Sequence, residues 1–222
     1  MPHPLLVAPL REGTSFFVAQ VRAIEADGTI LAAATVSFHD VGSERRHGQQ
    51  QLHTTAAPSP LPTPPSSPPP ALRQMELPVT AWPVHRLRDD GTLCWMGWPG
   101  GLPSTGALEQ WQQSAALAFL SEGAAFEGLQ PGVLTYPHRH AVRTKMVTAL
   151  DYTIHYHADP QPELGWVLVQ LESPWAADGR AIIRLSIWSP EGVLLATATQ
   201  EMLLRTARKE PKSESRAGQS KL

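Results

Sequence analysis

The chain has 222 residues, enough for one large domain or two small ones. Its 18 basic and 20 acidic side chains nearly cancel, which excludes the basic excess of a general nucleic-acid binder. No apolar run reaches the roughly 18–20 residues that span a bilayer, so we expect a protein that binds neither nucleic acid nor membrane. The single cysteine, Cys94, excludes an internal disulfide, and we expect a buried, unreactive thiol.

Strand-like runs open the chain at residues 5–10, 15–24 and 29–38. Residues 26–28 (ADG) have the composition of a tight turn, so the second and third runs are predicted to form an antiparallel hairpin. Three strands cannot bury both faces of a sheet, and this part of the chain therefore needs a packing partner.

Composition changes sharply at residues 58–70 (PSPLPTPPSSPPP), where eight of thirteen residues are proline. Proline donates no backbone hydrogen bond, so neither a helix nor a central strand is compatible with this stretch. We predict an extended linker over residues 56–74, between an N-terminal unit (residues 1–55) and a C-terminal unit (residues 75–205). A docking segment for an SH3-type domain is the alternative, which the sparse basic residues beside the stretch disfavour.

The C-terminal unit begins with apolar runs at residues 75–87 and 92–98. A helix is then predicted, capped by Thr105 and continuing to Leu120. Its expected apolar face comprises Leu108, Trp111, Ala115, Leu117 and Ala118. Residues 123–145 contain several helix and strand breakers and are predicted to be irregular.

Four predicted strands complete the unit, at residues 146–156, 166–172, 181–188 and 193–204. Turn residues stand before the last two strands. One helix followed by a long antiparallel meander indicates an α+β fold. We expect the hot-dog arrangement, in which an antiparallel sheet wraps around a helix.

Several ordered segments resemble motifs of the acyl-CoA thioesterase II family. The most specific is residues 149–157 (ALDYTIHYH), which is similar to the family's [ST]-[LI]-D-H-S-x-x-F-H segment. Further similar segments follow in the family's order: residues 11–16 (REGTSF), 36–38 (VSF), 171–174 (LESP), 179–180 (GR), 191–196 (EGVLLA) and 199–201 (TQE). Together they extend over most of residues 4–205.

The resemblance implies a double hot-dog protein that hydrolyses fatty acyl-CoA to free acid and CoA, with no cofactor. It also implies that the N-terminal hot dog is incomplete, because the family has a strand and a central helix ahead of the segment matched by Pro4. A sheet without its helix exposes an apolar face and an edge. We therefore expect a homo-oligomer or a chain shortened at its start.

The family holds a water against the thioester carbonyl with a carboxylate, a hydroxyl and an amide. The resemblance places these at Glu122, Ala149 and Gln200. Glu122 has one methylene more than the family's aspartate, and Ala149 has no hydroxyl at all. Strand alternation predicts that Asp151 and Thr153 share the face of Ala149, although Thr153 lies too far along the strand to replace the missing hydroxyl.

Two functional hypotheses therefore stand. One is an active acyl-CoA thioesterase in which Glu122 orients the water and Gln200 holds the water or the thioester, with the neighbouring Ser121 as a conceivable hydroxyl donor. The other is a degenerate hot-dog protein that binds acyl-CoA or a partner without turnover. An α/β-hydrolase thioesterase is disfavoured, since no G-x-S-x-G segment is present.

Three further features admit both a structural and a functional interpretation. His155 and His157 alternate along one strand and resemble family strand residues, which favours a structural role over metal binding. Residues 137–145 (PHRHAVRTK) are basic and are interpreted either as a solvated loop or as a site for the phosphates of CoA. The tryptophans, including Trp95 and Trp98, suit either a core or the lining of an acyl tunnel.

The last segment of the chain contains a predicted targeting signal. Residues 206–222 are polar and are predicted to be disordered. They end in Ser220, Lys221 and Leu222, a tripeptide that a peroxisomal import receptor reads at a free C-terminus. The sequence therefore predicts a protein of the peroxisomal matrix.

Overall fold

The computed structural model describes residues 4–14, 16–39, 56–66, 84–88, 92–97, 110–127, 144–158 and 165–206. The chain divides into two compact units, Met1–Thr54 and Thr55–Leu222.

The first unit contains a three-stranded antiparallel sheet with the strand order β1-β2-β3. Its strands are β1 (Leu5–Glu12), β2 (Phe16–Ile24) and β3 (Ile30–His39). In the turn from β2 to β3, the Asp27 carboxylate accepts a hydrogen bond of 2.9 Å from the backbone N–H of Thr29. Gly28 adopts a φ of +88°, which a side chain disfavours. The predicted hairpin is confirmed.

The two faces of this first sheet differ in polarity. Val7, Val21 and Ala34 form one row across the three strands, and Phe17 pairs with Phe38 on the same face. The opposite face also presents polar residues, Gln20, Arg22 and Thr35. Ala19 of the apolar face is buried, but Val7 is 62% exposed, so part of this face is uncovered.

The second unit contains a six-stranded antiparallel sheet in the order β4-β5-β7-β8-β9-β6. Its strands are β4 (Val84–Arg86), β5 (Leu93–Gly97), β6 (Thr144–Tyr156), β7 (Trp166–Ala177), β8 (Arg180–Trp188) and β9 (Leu194–Thr206). A helix, α1 (Gln110–Glu127), packs on one face of this sheet. The predicted combination of a helix and an antiparallel meander is confirmed.

Helix α1 meets the sheet through a narrow buried stripe. Leu117 and Leu120 are fully buried, and Ser121 continues the stripe at the helical spacing of i and i+4. They contact a core built from alternate residues of β5 to β9, including Val169, Ile183 and Met202. The helix therefore places a hydroxyl, as well as leucines, against the sheet.

The predicted helix was wrong in two respects. Trp111 is 65% exposed and Ala115 is also exposed, so neither belongs to the buried face. The helix also continues past Leu120 to Glu127, because no proline interrupts it and alanines follow Gly123. The predicted cap, Thr105, lies outside the described residues.

The opposite face of the second sheet carries a smaller apolar cluster. Its buried members are Leu93, Trp95, Leu168 and Trp188. Ala57, from the proline-rich stretch, packs against this cluster. Residues 56–66 of the predicted linker thus lie within the compact second unit. Trp95 is a core residue of this cluster, and Trp98 lies outside the described residues.

Strands β6 and β7 contain irregularities that sequence periodicity did not predict. The register of β6 with β9 shifts between Ala149 and Asp151, so Leu150 is an extra, bulged residue. Strand β7 shifts between Glu172 and Trp175 and then continues to Ala177, beyond its predicted end. Pro174 lies in this second irregularity, where its missing N–H interrupts no ladder.

Candidate active site on the helix-facing side of the second sheet

The bulge in β6 decides which side chains meet the helix. Ala149 and Tyr152 are both partly buried and pack against the core, whereas Asp151 and Thr153 are exposed. The extra residue at Leu150 shifts the alternation by one position and exchanges the two faces from that point onward. The prediction that Asp151 and Thr153 share the face of Ala149 was therefore wrong.

Tyr152 spans the gap between β6 and α1. Its hydroxyl hydrogen-bonds with Ser121 and lies 3.4 Å from the carbonyl oxygen of Ala118. The Ser121 hydroxyl lies 2.7 Å from the same carbonyl. Each hydroxyl carries one proton, and either can be the donor of the bond between the two. In both arrangements the phenol proton is directed towards the helix, to Ser121 or to the Ala118 carbonyl, and a lone pair of the tyrosine oxygen stays available to accept a further hydrogen bond.

Glu122 follows Ser121 on the helix but points away from the core. Its side chain is exposed, whereas Ser121 is fully buried. The carboxylate is nevertheless close enough to Tyr152 for its negative charge to act on the phenol. The helix thus brings a carboxylate and a buried hydroxyl to one side of Tyr152.

Gln200 is the most unusual buried polar residue of the second unit. Its side chain is 1% exposed, and neither its amide nitrogen nor its amide oxygen has a hydrogen-bond partner within the described part of the chain. It lies between Ala198 and Met202 on the helix-facing side of β9. A buried amide without a partner costs about 1–3 kcal/mol, and its donor and acceptor are available to a ligand.

The strand register places Gln200 next to Tyr152. The two residues are directly paired across β9 and β6, and Ile183 of β8 pairs with Gln200 on its other side. Directly opposed residues on one face have Cβ atoms roughly 4.5–5.5 Å apart. Of these two cross-strand neighbours, only Tyr152 carries a polar side-chain group.

The environment of Tyr152 stabilises its neutral form. Burial is the main cause that raises the pKa of Tyr152 to about 12, and the charges of Tyr156 and Glu122 act in the same direction. The hydrogen bond with Ser121 partly opposes this rise. At neutral pH the phenol is therefore protonated and can orient a ligand, but it is not a base.

The predicted site residues thus occupy three elements. Glu122 is on α1, Ala149 on β6 and Gln200 on β9. The structure brings Gln200 and Ala149 to the same face, where Ala149 pairs with Met202 rather than with Gln200. Tyr152 was not identified from the sequence, because the bulge that turns it inward leaves no signature in the residue pattern.

The outer face of the sheet has a separate polar groove. It has a volume of about 280 Å³ and lies on the side opposite Gln200, since Thr199, its neighbour in β9, lines it. Its polar lining comprises Gln170, Glu172, Arg184, Ser186, Thr197 and Thr199. The groove is therefore distinct from the candidate site.

His157 also lies at this sheet, where its Nε2 hydrogen-bonds with Thr197 at 2.8 Å. Burial, and then the charge of the nearby His155, lower the pKa of His157. Within the described residues, no group of three or more His, Cys, Asp or Glu residues is arranged to hold a metal ion. The basic segment 137–143 lies outside the described residues.

No helix in the described part of the chain is long and apolar enough to cross a membrane.

Comparison with known families decides the class of the protein. Residues 53–204 match the family model described as the acyl-CoA thioesterase C-terminal domain. This match includes α1 and all six strands of the second sheet. The chain belongs to the acyl-CoA thioesterase family.

Curated members of the thioesterase family match over shorter stretches. Acyl-coenzyme A thioesterase 8 of Rattus norvegicus is 31% identical over 91 residues, which are 41% of this chain and 26% of that protein. The Homo sapiens protein of the same name is 31% identical over 74 residues, which are 33% of this chain and 23% of that protein. The matched region thus spans about a quarter of each relative.

Solved structures share the fold. An acyl-CoA thioesterase II from Mycobacterium marinum superposes with a TM-score of 0.60 at 23% identity, covering 91% of this chain and 73% of that one. A hot-dog protein from Alicyclobacillus acidocaldarius gives a TM-score of 0.60 at 19% identity, covering 92% and 73%. The predicted α+β hot-dog fold is confirmed.

Proposed function

We propose that this protein hydrolyses acyl-CoA thioesters. The observation that carries the proposal is Gln200, a buried amide without a partner among the described residues, at the helix-facing side of a thioesterase-family sheet. An amide in this state offers a donor and an acceptor to a small polar ligand. A water or a thioester carbonyl has the matching groups.

The reaction follows from these groups. The water oxygen attacks the thioester carbonyl carbon, and Glu122 accepts one proton of the water. The carbonyl is re-formed as the carbon–sulfur bond breaks, and the proton passes to the CoA thiolate. The products are a free acid and CoA. Gln200 holds the water or the carbonyl oxygen in the orientation that the attack requires. No cofactor takes part.

The test is hydrolysis of an acyl-CoA panel, from short to long chains, by the full chain with a thiol-reactive dye as the readout. We expect CoA release above background for at least one chain length. Glu122→Gln should lower kcat by about 10²-fold, because it removes the proton acceptor. Glu172→Gln, which changes an exposed carboxylate of the outer face, is the matched control. Absence of release across the panel would refute the proposal.

A second candidate function is binding of acyl-CoA or a partner without turnover. Ala149 favours it, since a methyl group stands where the resemblance implies a hydroxyl. The exposed position of Glu122 favours it as well. Calorimetric titration with a non-hydrolysable thioether analogue separates the two functions: binding by a chain that releases no CoA supports this one.

We propose further that the protein enters the peroxisomal matrix through an import receptor that reads Ser220, Lys221 and Leu222. These three residues lie outside the described part of the chain. A fluorescent protein fused to the N-terminus should give punctate fluorescence that coincides with a peroxisomal marker. Deleting Leu222 should disperse it, and an unchanged pattern would contradict the proposal.

We also propose a homo-oligomer. What supports it is the partly uncovered apolar face of the first sheet, with Val7, Val21 and Ala34 in one row. A second copy of the chain would cover such a face.

A further inference from the structure

We propose that the Tyr152 hydroxyl, oriented by Ser121, supplies the hydroxyl that Ala149 cannot supply, and that it accepts a hydrogen bond from the attacking water beside Gln200. This inference rests on the proposed thioester hydrolysis. It gives the site a donor and acceptor set from three elements of this chain: Glu122 of α1, Tyr152 of β6 and Gln200 of β9.

Tyr152 lies next to Ala149 on one face of β6. The two residues are consecutive on the helix-facing side, because the bulge at Leu150 removes one step of the alternation. Their partners on β9, Met202 and Gln200, are two residues apart, which corresponds to roughly 7 Å along the strand. A long side chain at Tyr152 can therefore bring a hydroxyl towards the position where Ala149 has none.

The hydrogen bonds of Tyr152 hold its proton on the helix side. The phenol donates either to Ser121 or to the Ala118 carbonyl, since each hydroxyl has one proton. Both arrangements leave a lone pair of its oxygen to accept from a ligand. A water held there has one proton directed to Tyr152 and the other available to Glu122. Its own lone pair then remains for the carbonyl carbon.

A second tyrosine also anchors the helix. Tyr156 lies on the same strand, and its hydroxyl donates a 2.9 Å hydrogen bond to the Ser114 carbonyl, one helical turn before Ala118. Of the two tyrosines, only Tyr152 hydrogen-bonds with a second hydroxyl and pairs across the sheet with Gln200, whose amide has no partner among the described residues. Tyr152 therefore joins the helix and also lies beside a buried amide that is available to a ligand.

The Tyr152 phenol stays protonated. Burial holds it neutral well above physiological pH. A neutral phenol donates to a helix group, Ser121 or the Ala118 carbonyl, and accepts from water at the same time. A phenolate could not donate, so the arrangement persists over the whole neutral range.

The test compares Tyr152→Phe with Tyr156→Phe in the full chain. Each variant removes one hydroxyl that bonds to a carbonyl of α1, so Tyr156→Phe controls for lost anchoring. We expect Tyr152→Phe to lower kcat by about 10²-fold with little change in KM, the size of effect seen when one positioning or polarising group is lost. We expect Tyr156→Phe to retain kcat within about threefold, an order-of-magnitude bound for a peripheral contact.

A rescue variant separates chemistry from structure. Tyr152→Phe combined with Ala149→Thr returns a hydroxyl to the same face, and we expect it to recover at least about tenfold of the lost kcat. A tyrosine that acts only by packing would not be rescued by a hydroxyl at residue 149.

The outcomes distinguish this inference from the proposed function. If the unmodified chain hydrolyses acyl-CoA but Tyr152→Phe is as active as Tyr156→Phe, the inference is overturned and thioester hydrolysis stands. If the double variant stays as inactive as Tyr152→Phe, a replacement role for the phenol is overturned as well. If the unmodified chain releases no CoA, both the function and the inference fail.

Discussion

At the scale of single residues, two buried polar side chains define the candidate site. Gln200 is a buried amide without a partner among the described residues, whereas the buried Tyr152 phenol hydrogen-bonds with Ser121 of the helix. Burial penalises a polar group that makes no hydrogen bond, so Gln200 has a donor and an acceptor that a ligand could satisfy. Both belong to the helix-facing side of the second sheet.

Gln200→Leu should separate stability from activity. Leucine has nearly the volume of glutamine and carries no unpaired amide, so the free energy of unfolding should rise by about 1 kcal/mol. CoA release should fall by about 10²-fold, because the group that holds the ligand is gone. Urea denaturation and the thiol assay measure the two effects. Gln170→Leu, on the outer face, is the control, and a parallel loss of stability and activity would argue against a ligand role.

The pKa of Tyr152 predicts how stability responds to alkaline pH. The unfolded phenol titrates near pH 10 and the folded one near about 12, so the folded state holds its proton more tightly. This contribution is fully present below pH 10 and is lost as pH rises towards about 12. The free energy of unfolding of the wild type should therefore fall faster over this window than that of Tyr152→Phe. Equal slopes in denaturant titrations would contradict the burial of this phenol.

At the scale of elements, one bulge and one helix end determine which side chains form the candidate site. The bulged Leu150 turns Tyr152 inward, and the continuation of α1 past Leu120 brings Ser121 and Glu122 into helical geometry. A regular strand would have directed Tyr152 to solvent. The hairpin from β7 to β8 then holds the sheet in register through Asp178 and Gly179, both with positive φ.

Gly179→Ala should cost more stability than Gly192→Ala. Both glycines have positive φ, +72° and +86°, so both variants incur strain of about 1 kcal/mol. Only at Gly179 would the new Cβ lie 3.1 Å from the backbone oxygen of Leu204, whereas at Gly192 its neighbours are at 3.5 Å. We expect roughly 1 kcal/mol of additional loss at Gly179, measured by thermal or urea unfolding. A larger loss at Gly192 would contradict the tight contact.

At the scale of the whole molecule, the chain consists of two compact units that differ in how their sheets are covered. The second has a helix and a buried core on its sheet, with a further apolar cluster on the other face. The first has one apolar sheet face that its own described residues leave partly exposed. Exposed apolar surface of this extent favours association.

Val7→Lys tests the proposed association. Lysine at this exposed position places a charge on the apolar face, in the row that Val7 forms with Val21 and Ala34, so the oligomer should dissociate towards monomer. Light scattering at several protein concentrations gives the mass. Ala33→Lys puts the same charge on the opposite face of the sheet and should leave the mass unchanged. A wild type that is monomeric throughout would refute the oligomer.

Much of the fold was predictable because local chemistry and periodicity determine it. The hairpin at Asp27 and Gly28, the last strands and the α+β class all follow from turn residues and alternating apolar positions. The ordered motifs indicated the family, which residues 53–204 confirm. The roles of Glu122 and Gln200 stay predictions. The same holds for the peroxisomal targeting signal at Ser220, Lys221 and Leu222.

The sequence by itself determined the class of fold, the family and the residues that could carry its chemistry, because these depend on local pattern and ordered motifs. Only the tertiary structure decided which of these residues lie close together. Strand register pairs Tyr152 with Gln200, and the bulge at Leu150 turns Tyr152 towards Ser121. The physical reason is that contacts between distant segments set which way each side chain faces and which residue it pairs with. A one-residue shift in a strand turns every later side chain to the opposite face of the sheet.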